Sequence, residues 1–148
     1  STIPFKDELE HVQAYLAIEE TRFEDLLTVE FDTPNINFRI PPLTLQPIVE
    51  NSVKYGVDPE LAPMHIKISS VETDDNNVIT VTDTGPGFDE SSPMQDDNKE
   101  PHVALKNIRE RLDVMSGGTI SISKRAEGGT KVTIIIPKPY NIGKPGDL

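Results

Sequence analysis

The chain reads Asp83-Thr84-Gly85-Pro86-Gly87-Phe88 directly after an alternating β-type run, residues 78–82. Successive side chains of a strand alternate between its two faces, so Ile79 and Val81 share a face with Asp83. Two apolar side chains predict that this face lies on a core, with the Asp83 carboxylate at its edge. Such a carboxylate needs hydrogen-bond donors, and glycines let the backbone approach a ligand closely. The stretch predicts either a semi-buried acceptor for a purine amino group or a hairpin turn with a solvated aspartate.

Upstream, residues 43–56 predict an amphipathic helix that ends at Gly56. Its apolar side consists of Leu45, Ile48, Val49 and the small Ser52. The opposite side carries Glu50, Asn51 and Lys54, because residues three and four apart are neighbours on a helix. An amide oxygen suits Mg²⁺, an ammonium group suits phosphate, and a carboxylate can act as a base or orient water. The helix predicts either a phosphate and metal site or an exposed polar surface with a Glu–Lys pair.

Downstream, a second amphipathic helix is expected to begin at about residues 102–105 and to end at Gly117-Gly118. Its apolar side consists of Leu105, Ile108, Leu112 and Met115. Free backbone N–H groups at its N-terminus suit an anionic ligand. A hairpin follows, with alternating apolar residues on both sides of a turn at Glu127-Gly128-Gly129.

The remaining segments complete an α+β pattern. A helix is predicted over residues 5–25, a short strand over 26–31 and a loop over 32–42. A strand over residues 64–71 and a turn over 74–77 lead into the central run. The polar segment between Gly87 and His102 predicts a functional lid or disorder.

Composition is consistent with one compact domain of 148 residues, 35% of them hydrophobic. The net charge of −11 argues against nucleic acid as a partner. The chain has no cysteine, which excludes disulfides and thiolate metal sites. No apolar run is long enough to span a bilayer, and the three histidines, His11, His65 and His102, lack metal-ligand spacing. These features fit a cytoplasmic domain.

Four motifs in order resemble the ATP-binding domain shared by gyrase, the heat-shock chaperones, histidine kinases and MutL. They correspond to the N box and three glycine boxes of that family: Glu50-Asn51 with Lys54-Tyr55, Asp83-x-Gly85-x-Gly87, Ala104-Leu105-Lys106-Asn107, and Gly128-Gly129-Thr130. Within this superfamily the chain most resembles sensor histidine kinases of the LytS type. The motifs that support this are Tyr15-Leu16-x-Ile18-Glu19-x-x-Arg22-Phe23, Pro42-x-x-Leu45-Gln46-Pro47-Ile48-Val49-Glu50-Asn51 and Leu105-Lys106-Asn107-Ile108-Arg109-Glu110-Arg111-Leu112. The resemblance covers roughly residues 7–137.

The resemblance implies a two-layer α/β sandwich of the Bergerat type, an α+β fold with helices on one face of a mixed, mostly antiparallel sheet. It also implies three segments. Residues 1–26 would be an N-terminal helix that follows a dimerisation and phosphoacceptor region missing from this chain. Residues 27–137 would be the ATP-binding catalytic domain, and residues 138–148 a C-terminal tail.

The function that the resemblance implies is binding of ATP with Mg²⁺ and transfer of the γ-phosphoryl group to a histidine. Asp83, with Thr130, would bind the adenine amino group, while Gly85 and Gly87 let the backbone lie near the base. Tyr55 would flank the ribose or base. The segment after Gly87 would then be an ATP lid.

The same resemblance implies roles at the phosphate end. Asn51 would be the magnesium ligand, and Lys54 would contact phosphate oxygens. Glu50 would act as the general base found in the ATPases or, in a kinase, would polarise the incoming imidazole. The third motif would hold the distal phosphates through Lys106, Asn107 and the backbone amides of Ala104 and Leu105.

Two departures from the family pattern bear on function. His102 and Ala104 stand where the second glycine box usually has glycines. No Pro-His-Phe acceptor motif is present, and His11 lacks those neighbours. The chain is therefore expected to be the catalytic fragment of a longer, membrane-anchored sensor. Its expected partners are the phosphoacceptor helix pair of the same protein, in a homodimer, and a response regulator.

Two other functions remain open on the sequence. The chain could be a self-sufficient ATPase or switch module in which Glu50 activates water. With its altered second box, it could also be a degenerate, non-catalytic interaction domain.

Overall fold

The computed structural model describes residues 1–86 and 100–139, and three α-helices and seven strands lie within them. In chain order the elements are β1 (Ile3–Pro4), α1 (Phe5–Phe23), a 3-10 turn (Glu24–Leu26), β2 (Leu27–Asp32), β3 (Arg39–Ile40), α2 (Gln46–Gly56), β4 (Met64–Glu72), β5 (Asn76–Asp83), α3 (Glu100–Ser116), β6 (Thr119–Lys124) and β7 (Thr130–Pro137). Residues 87–99, which make up most of the predicted lid segment, lie outside the described residues, as does nearly all of the predicted tail.

The main sheet has five strands in the order β2-β4-β5-β7-β6. Strand β2 runs parallel to β4, and the other neighbouring strands are antiparallel. The three helices pack on one face of this sheet, which confirms the predicted α+β sandwich with a mixed, mostly antiparallel sheet. Strand β5 is the central strand, so the residues at its end lie in the middle of the sheet edge.

One hydrophobic core joins the helices to the sheet. Strand β5 buries every second residue, including Ile79 and Val81, and this confirms the alternation predicted for it. Each helix places its apolar side on the same core: Phe5, Leu9, Val12 and Leu16 from α1, Ile48, Val49 and Val53 from α2, and Leu105, Ile108 and Leu112 from α3. Helix α1 is therefore packed into the core that also carries the central strand.

Several element boundaries differ from the predictions. The predicted loop over residues 32–42 contains β3, which pairs with β1 in a separate two-stranded sheet. Arg39 reinforces this pairing by donating to the hydroxyl and carbonyl oxygens of Thr2 at 3.0 and 2.6 Å. Strand β5 begins at Asn76, so the predicted turn is shorter, because Asn76 and Asn77 pair with the end of β7. These pairings join distant segments, and local sequence patterns do not report them.

The segment before α2 is held by side chains from both other helices. Glu8 of α1, which is 2% exposed, accepts hydrogen bonds from the backbone amides of Leu43 at 2.7 Å, Thr44 at 3.4 Å and Gln46 at 3.3 Å, and also from Leu45. Arg111 of α3 donates to the carbonyls of Pro42 and Leu43. The Glu8 carboxylate thus caps the start of α2, where unpaired amides and the helix dipole favour a negative charge.

No helix in the described residues has both the length and the apolar composition needed to cross a membrane.

Candidate functional site

The Asp83 carboxylate lies at the end of β5 and is 8% exposed. Its Oδ2 atom accepts a hydrogen bond from the Ser52 hydroxyl of α2 at 2.9 Å, and its Oδ1 atom accepts one from the Gly85 amide at 3.1 Å. Strand pairing places Thr130, the buried first residue of β7, directly opposite Asp83. The structure therefore brings together three of the predicted adenine-site residues, Asp83, Gly85 and Thr130, around a buried acceptor.

Burial raises the pKa of the Asp83 carboxyl above its ordinary value, because desolvation disfavours the charged form. Hydrogen bonds from Ser52 and from the backbone at Gly85 and Thr130, and the positive charge of Arg125, act in the opposite direction. A nearby donor on a ligand would stabilise the ionised form further. The carboxylate is thus well suited to accept a hydrogen bond from a bound ligand.

The backbone around Asp83 is packed too closely for side chains. A Cβ atom added to Gly85 would lie 3.0 Å from the Met64 sulfur and 3.3 Å from the Cα atom of Gly56. Gly129 adopts φ +95°, and an added Cβ there would lie 1.9 Å from the Asp83 carbonyl oxygen. Glycine at these positions lets the end of α2, the end of β5 and the start of β7 meet at one point.

The predicted metal and phosphate residues lie together on α2. Glu50 and Asn51 are half-buried, whereas Lys54 and Tyr55 are exposed. Glu50 accepts a hydrogen bond from the Gln46 side chain at 3.2 Å, and the Lys54 ammonium lies 5.3 Å from the centre of the Tyr55 ring. The side of α2 that points away from the core therefore carries the carboxylate, amide and ammonium groups predicted for it.

Tyr15 of α1 lies close enough to Glu50 for the two side chains to interact electrostatically. Burial, together with the carboxylates of Glu19 and Glu50, raises the pKa of the Tyr15 phenol to about 12. The phenol therefore stays protonated at neutral pH and remains a hydrogen-bond donor. Helix α1 thus contributes to the surroundings of Glu50, which no local pattern in the sequence indicates.

The third motif lies in α3, which packs against α2. Lys106 and Asn107 are exposed, and Leu105 is buried in the core. The predicted helix start at residues 102–105 is wrong, because the helix already includes Glu100. Amides beyond the first turn donate to carbonyls of the preceding turn, so those of Ala104 and Leu105 are taken up by the helix itself. Gly87, the remaining predicted site residue, lies outside the described residues.

Sequence reasoning missed two residues that hold Asp83. Ser52 was taken only as a small residue on the apolar side of α2, yet its hydroxyl binds the carboxylate. Arg125, in the turn between β6 and β7, donates to the Asp83 carbonyl at 3.2 Å and to the Gly128 carbonyl at 3.3 Å. A hydroxyl on an otherwise apolar face was a usable signal for Ser52, but no local pattern pointed to Arg125.

The arrangement around Asp83 fits an adenine nucleotide. A buried carboxylate with close-packed glycine backbone beside it can accept from the adenine amino group. Within residues 1–86 and 100–139, no three carboxylates or histidines cluster to hold a metal ion. Mg²⁺ generally binds through one or two protein oxygens plus substrate phosphates, and the half-buried Asn51 amide fits that mode.

Residues 42–140 match the family described as histidine kinase-, DNA gyrase B- and HSP90-like ATPases. The sensor protein LytS of Oceanobacillus iheyensis is 35% identical over 93% of this chain and 25% of its own length. The sensor histidine kinase YpdA of Escherichia coli is 35% identical over 91% of this chain and 24% of its own length. The chain thus spans about a quarter of these relatives, and 53% of YwpD of Bacillus subtilis, at 36% identity.

Solved structures share the fold. The catalytic domain of histidine kinase ThkA superposes with a TM-score of 0.66 at 20% identity, over 93% of this chain and 95% of that domain. The histidine kinase AdeS of Acinetobacter baumannii gives a TM-score of 0.67 at 21% identity, over 93% of this chain and 66% of AdeS. The geometry around Asp83 and the polar side of α2 agree with the sequence match. The chain therefore belongs to the family of histidine kinase-, DNA gyrase B- and HSP90-like ATPases, and it resembles the ATP-binding catalytic domain of LytS-type sensor kinases.

Proposed function

We propose that this chain binds ATP with Mg²⁺ and donates the γ-phosphoryl group to a histidine on a separate helix pair. The observation that carries the proposal is the buried Asp83 carboxylate at the end of β5, which accepts hydrogen bonds from Ser52 of α2 and from the Gly85 amide. The family match and the LytS and YpdA relatives support kinase chemistry over other uses of the same fold.

At the base end, Asp83 accepts a hydrogen bond from the adenine amino group. Thr130 lies opposite it in register and adds a hydroxyl, directly or through water. Gly85, and Gly87 beyond it, keep the backbone bare where the base lies. Tyr55 is exposed at the end of α2 and flanks the ribose or base. Specificity for adenine thus depends on one buried acceptor in a pocket shaped by glycines.

At the phosphate end, the α2 and α3 side chains neutralise and orient the nucleotide. Asn51 would hold Mg²⁺ through its amide oxygen, and the ion would supply positive charge that offsets the charge of the phosphates. Lys54 and Lys106 contact phosphate oxygens, and Asn107 adds a polar contact from the same side of α3. Glu50 polarises the incoming imidazole. Phosphoryl transfer needs mainly positioning and charge stabilisation, and these groups supply both.

The acceptor histidine is proposed to lie on the phosphoacceptor helix pair of the same protein, in a homodimer. One ThkA structure, with a TM-score of 0.65 to this chain, is a complex with the response regulator TrrA. By analogy, a response regulator is the second protein partner proposed here. The domain would work in the cytoplasm as part of a membrane-anchored sensor.

The test of phosphoryl donation uses two polypeptides. Alone with labelled ATP and Mg²⁺, the chain is expected to acquire no acid-labile, base-stable phosphate. Addition of a LytS-type acceptor helix pair as a separate fragment should yield labelled phosphohistidine on that fragment. Phosphohistidine on His11 of this chain alone would contradict the proposal, and steady release of inorganic phosphate without transfer would favour the self-sufficient ATPase.

Replacement of the adenine acceptor, Asp83→Asn, is expected to weaken ADP binding by about 1.5–3 kcal/mol, the range for a hydrogen bond to a charged group. The reason is that a carboxylate is acceptor-only, whereas an amide gives up one oxygen for a donor that opposes the adenine amino group. Isothermal titration calorimetry with ADP measures the change. Unchanged ADP affinity in a folded variant would exclude Asp83 as the adenine-binding residue.

The pH dependence of the unfolding free energy shows whether Asp83→Asn weakens ADP binding by destabilising the fold. Burial raises the folded-state pKa of Asp83, so the folded state binds more protons than the unfolded chain between the ordinary and the raised pKa. The extra proton binding stabilises the folded wild type at low pH. This stabilisation is lost as the pH rises from the ordinary pKa of the carboxyl through its raised pKa. Asp83→Asn cannot titrate, so at pH 7 it should be at least as stable as the wild type, and lost ADP binding then reports recognition.

A further inference from the structure

The face of the main sheet opposite the helices carries a row of polar residues. Strand register aligns Lys67 of β4 with Thr82 of β5, Thr82 with Lys131 of β7, and Lys131 with Ser123 of β6. The neighbours of these residues along each strand, Ile66, Val81 and Val132, are buried on the helix side. Directly paired residues on one face lie close enough for their side chains to interact. Two lysines therefore flank a threonine hydroxyl on the open face.

The end of β6 and the turn that follows it add two more cations at the end of this row. Arg125 is held in place, because it donates to the carbonyls of Asp83 and Gly128 and pairs with Glu127 at 2.9 Å. Lys124 precedes it as the last residue of β6. In the described part of the chain, Lys124 and Lys131 form no ion pair, whereas Lys67 pairs with Glu30 at 3.6 Å.

These side chains line a shallow cleft of about 460 Å³. Its polar lining includes Lys67, Thr80, Thr82, Lys124, Arg125 and Lys131, and its one carboxylate is that of Glu127. The chain as a whole has a net charge of −11, so its average field repels anions. A local excess of cations on this face is therefore a feature of the cleft and not of the general surface.

We propose that this cleft binds the polyphosphate group of a small anionic ligand, at a site separate from the adenine pocket. Strands lie about 4.8 Å apart, so Lys67 and Lys131, two strands apart, can approach a di- or triphosphate group from its two ends. Of the four cations, Lys67 pairs with Glu30 and Arg125 pairs with Glu127, so Lys124 and Lys131 supply the excess positive charge. Two positive charges in excess suit a multiply charged anion. Hydroxyls of Thr80 and Thr82 supply neutral donors between the lysines.

The size of the cleft separates this ligand from larger ones. A volume of about 460 Å³ lies in the range of small-molecule sites, whereas an acidic protein surface would need a wider basic area. The proposal does not depend on the proposed kinase function, because Thr80 and Thr82 point away from the face that carries Asp83. Arg125 is the structural link, since it lines the cleft and binds the Asp83 carbonyl.

The experiment titrates the whole chain with inorganic tripolyphosphate, which lacks a base, in magnesium-free buffer. Binding is measured by calorimetry and located by backbone amide chemical shifts. Shifts are expected on β5, β7 and the β6–β7 turn, around Thr82, Lys131 and Arg125. Lys131→Gln and Lys124→Gln should each weaken binding about tenfold, as loss of a charge-assisted hydrogen bond implies. The charge-matched control Lys6→Gln, at an exposed position of α1, should change little.

Several outcomes would overturn the proposal. They are no binding of tripolyphosphate, shifts confined to α2 and α3, orthophosphate binding as tightly as tripolyphosphate, or an equal loss in Lys6→Gln. Tighter binding of an acidic peptide at the same residues would assign the face to a protein partner instead. Asp83→Asn should leave tripolyphosphate binding unchanged while it weakens ADP binding, so failure at one site is distinguishable from failure at the other.

Discussion

The variant Glu8→Ala is expected to lose about 3–5 kcal/mol of unfolding free energy, from the loss of a helix cap and of partners for buried donors. The Glu8 carboxylate is 2% exposed and accepts from the amides of Leu43, Thr44, Leu45 and Gln46 at the start of α2. Alanine leaves these N–H groups without their acceptor in a place that water does not reach easily. Urea denaturation followed by circular dichroism measures the loss.

A matched control lies two residues away on the same helix. Glu10 is exposed on α1, so Glu10→Ala should change stability by no more than about 0.5 kcal/mol. Glu8→Gln retains one acceptor oxygen and should fall between the wild type and Glu8→Ala. Similar losses in Glu8→Ala and Glu10→Ala would show that the cap does not stabilise α2. The same helix carries Glu50 and Asn51, the residues proposed for the phosphate end of the site.

The variant Gly129→Ala is expected to lose about 2–5 kcal/mol of unfolding free energy, by two separable costs. The first cost is conformational: Gly129 has φ +95°, a left-handed backbone conformation that is unfavourable for alanine. The second is a steric clash, since the new Cβ would lie 1.9 Å from the Asp83 carbonyl oxygen. Relief of this clash has to displace the backbone of Asp83 or β7. Urea denaturation gives the total loss, and ADP calorimetry on the folded fraction should show weakened binding.

The variant Gly128→Ala is a control that carries the conformational cost without the steric clash. Gly128 has φ +100°, yet an added Cβ there would meet no atom within 4 Å. Gly128→Ala should therefore show only the conformational cost, about 1–2 kcal/mol, and near-normal ADP binding. The difference between the two variants measures the close approach of β7 to Asp83. Equal losses of stability, with equal ADP affinity, would mean that the approach to Asp83 contributes nothing.

Local patterns predicted the elements correctly where burial on one face repeats at short range. The alternation through Ile79 and Val81 predicted strand β5 and the inward direction of Asp83, both of which are confirmed. Helical spacing predicted that Glu50, Asn51 and Lys54 face away from the apolar side of α2. These inferences succeed because strand and helix periodicities relate residues two to four positions apart. The roles of these residues toward nucleotide and metal stay predictions.

Local patterns were less informative at element ends. The start of α3 was placed at residues 102–105 because the apolar stripe begins at Leu105, yet the helix includes Glu100. Strand β3 was missed because two residues carry no periodicity of their own, and only pairing with β1 defines them. Buried carboxylates at Glu8 and Glu19 fall among the apolar positions of α1, and composition alone does not identify their partners.

The order of the three helices and the five strands of the main sheet, the faces they bury, the family motifs and the candidate acceptor Asp83 can all be read from the sequence. The surroundings of that acceptor follow only from the packing of the folded chain, which brings Ser52 from 31 residues upstream, Arg125 from 42 residues downstream and, through strand register, Thr130 to the opposite position. The physical reason is that periodicity is a short-range property of the backbone. Side-chain partners across a core depend instead on how distant segments pack, and only the folded chain brings them within hydrogen-bond distance.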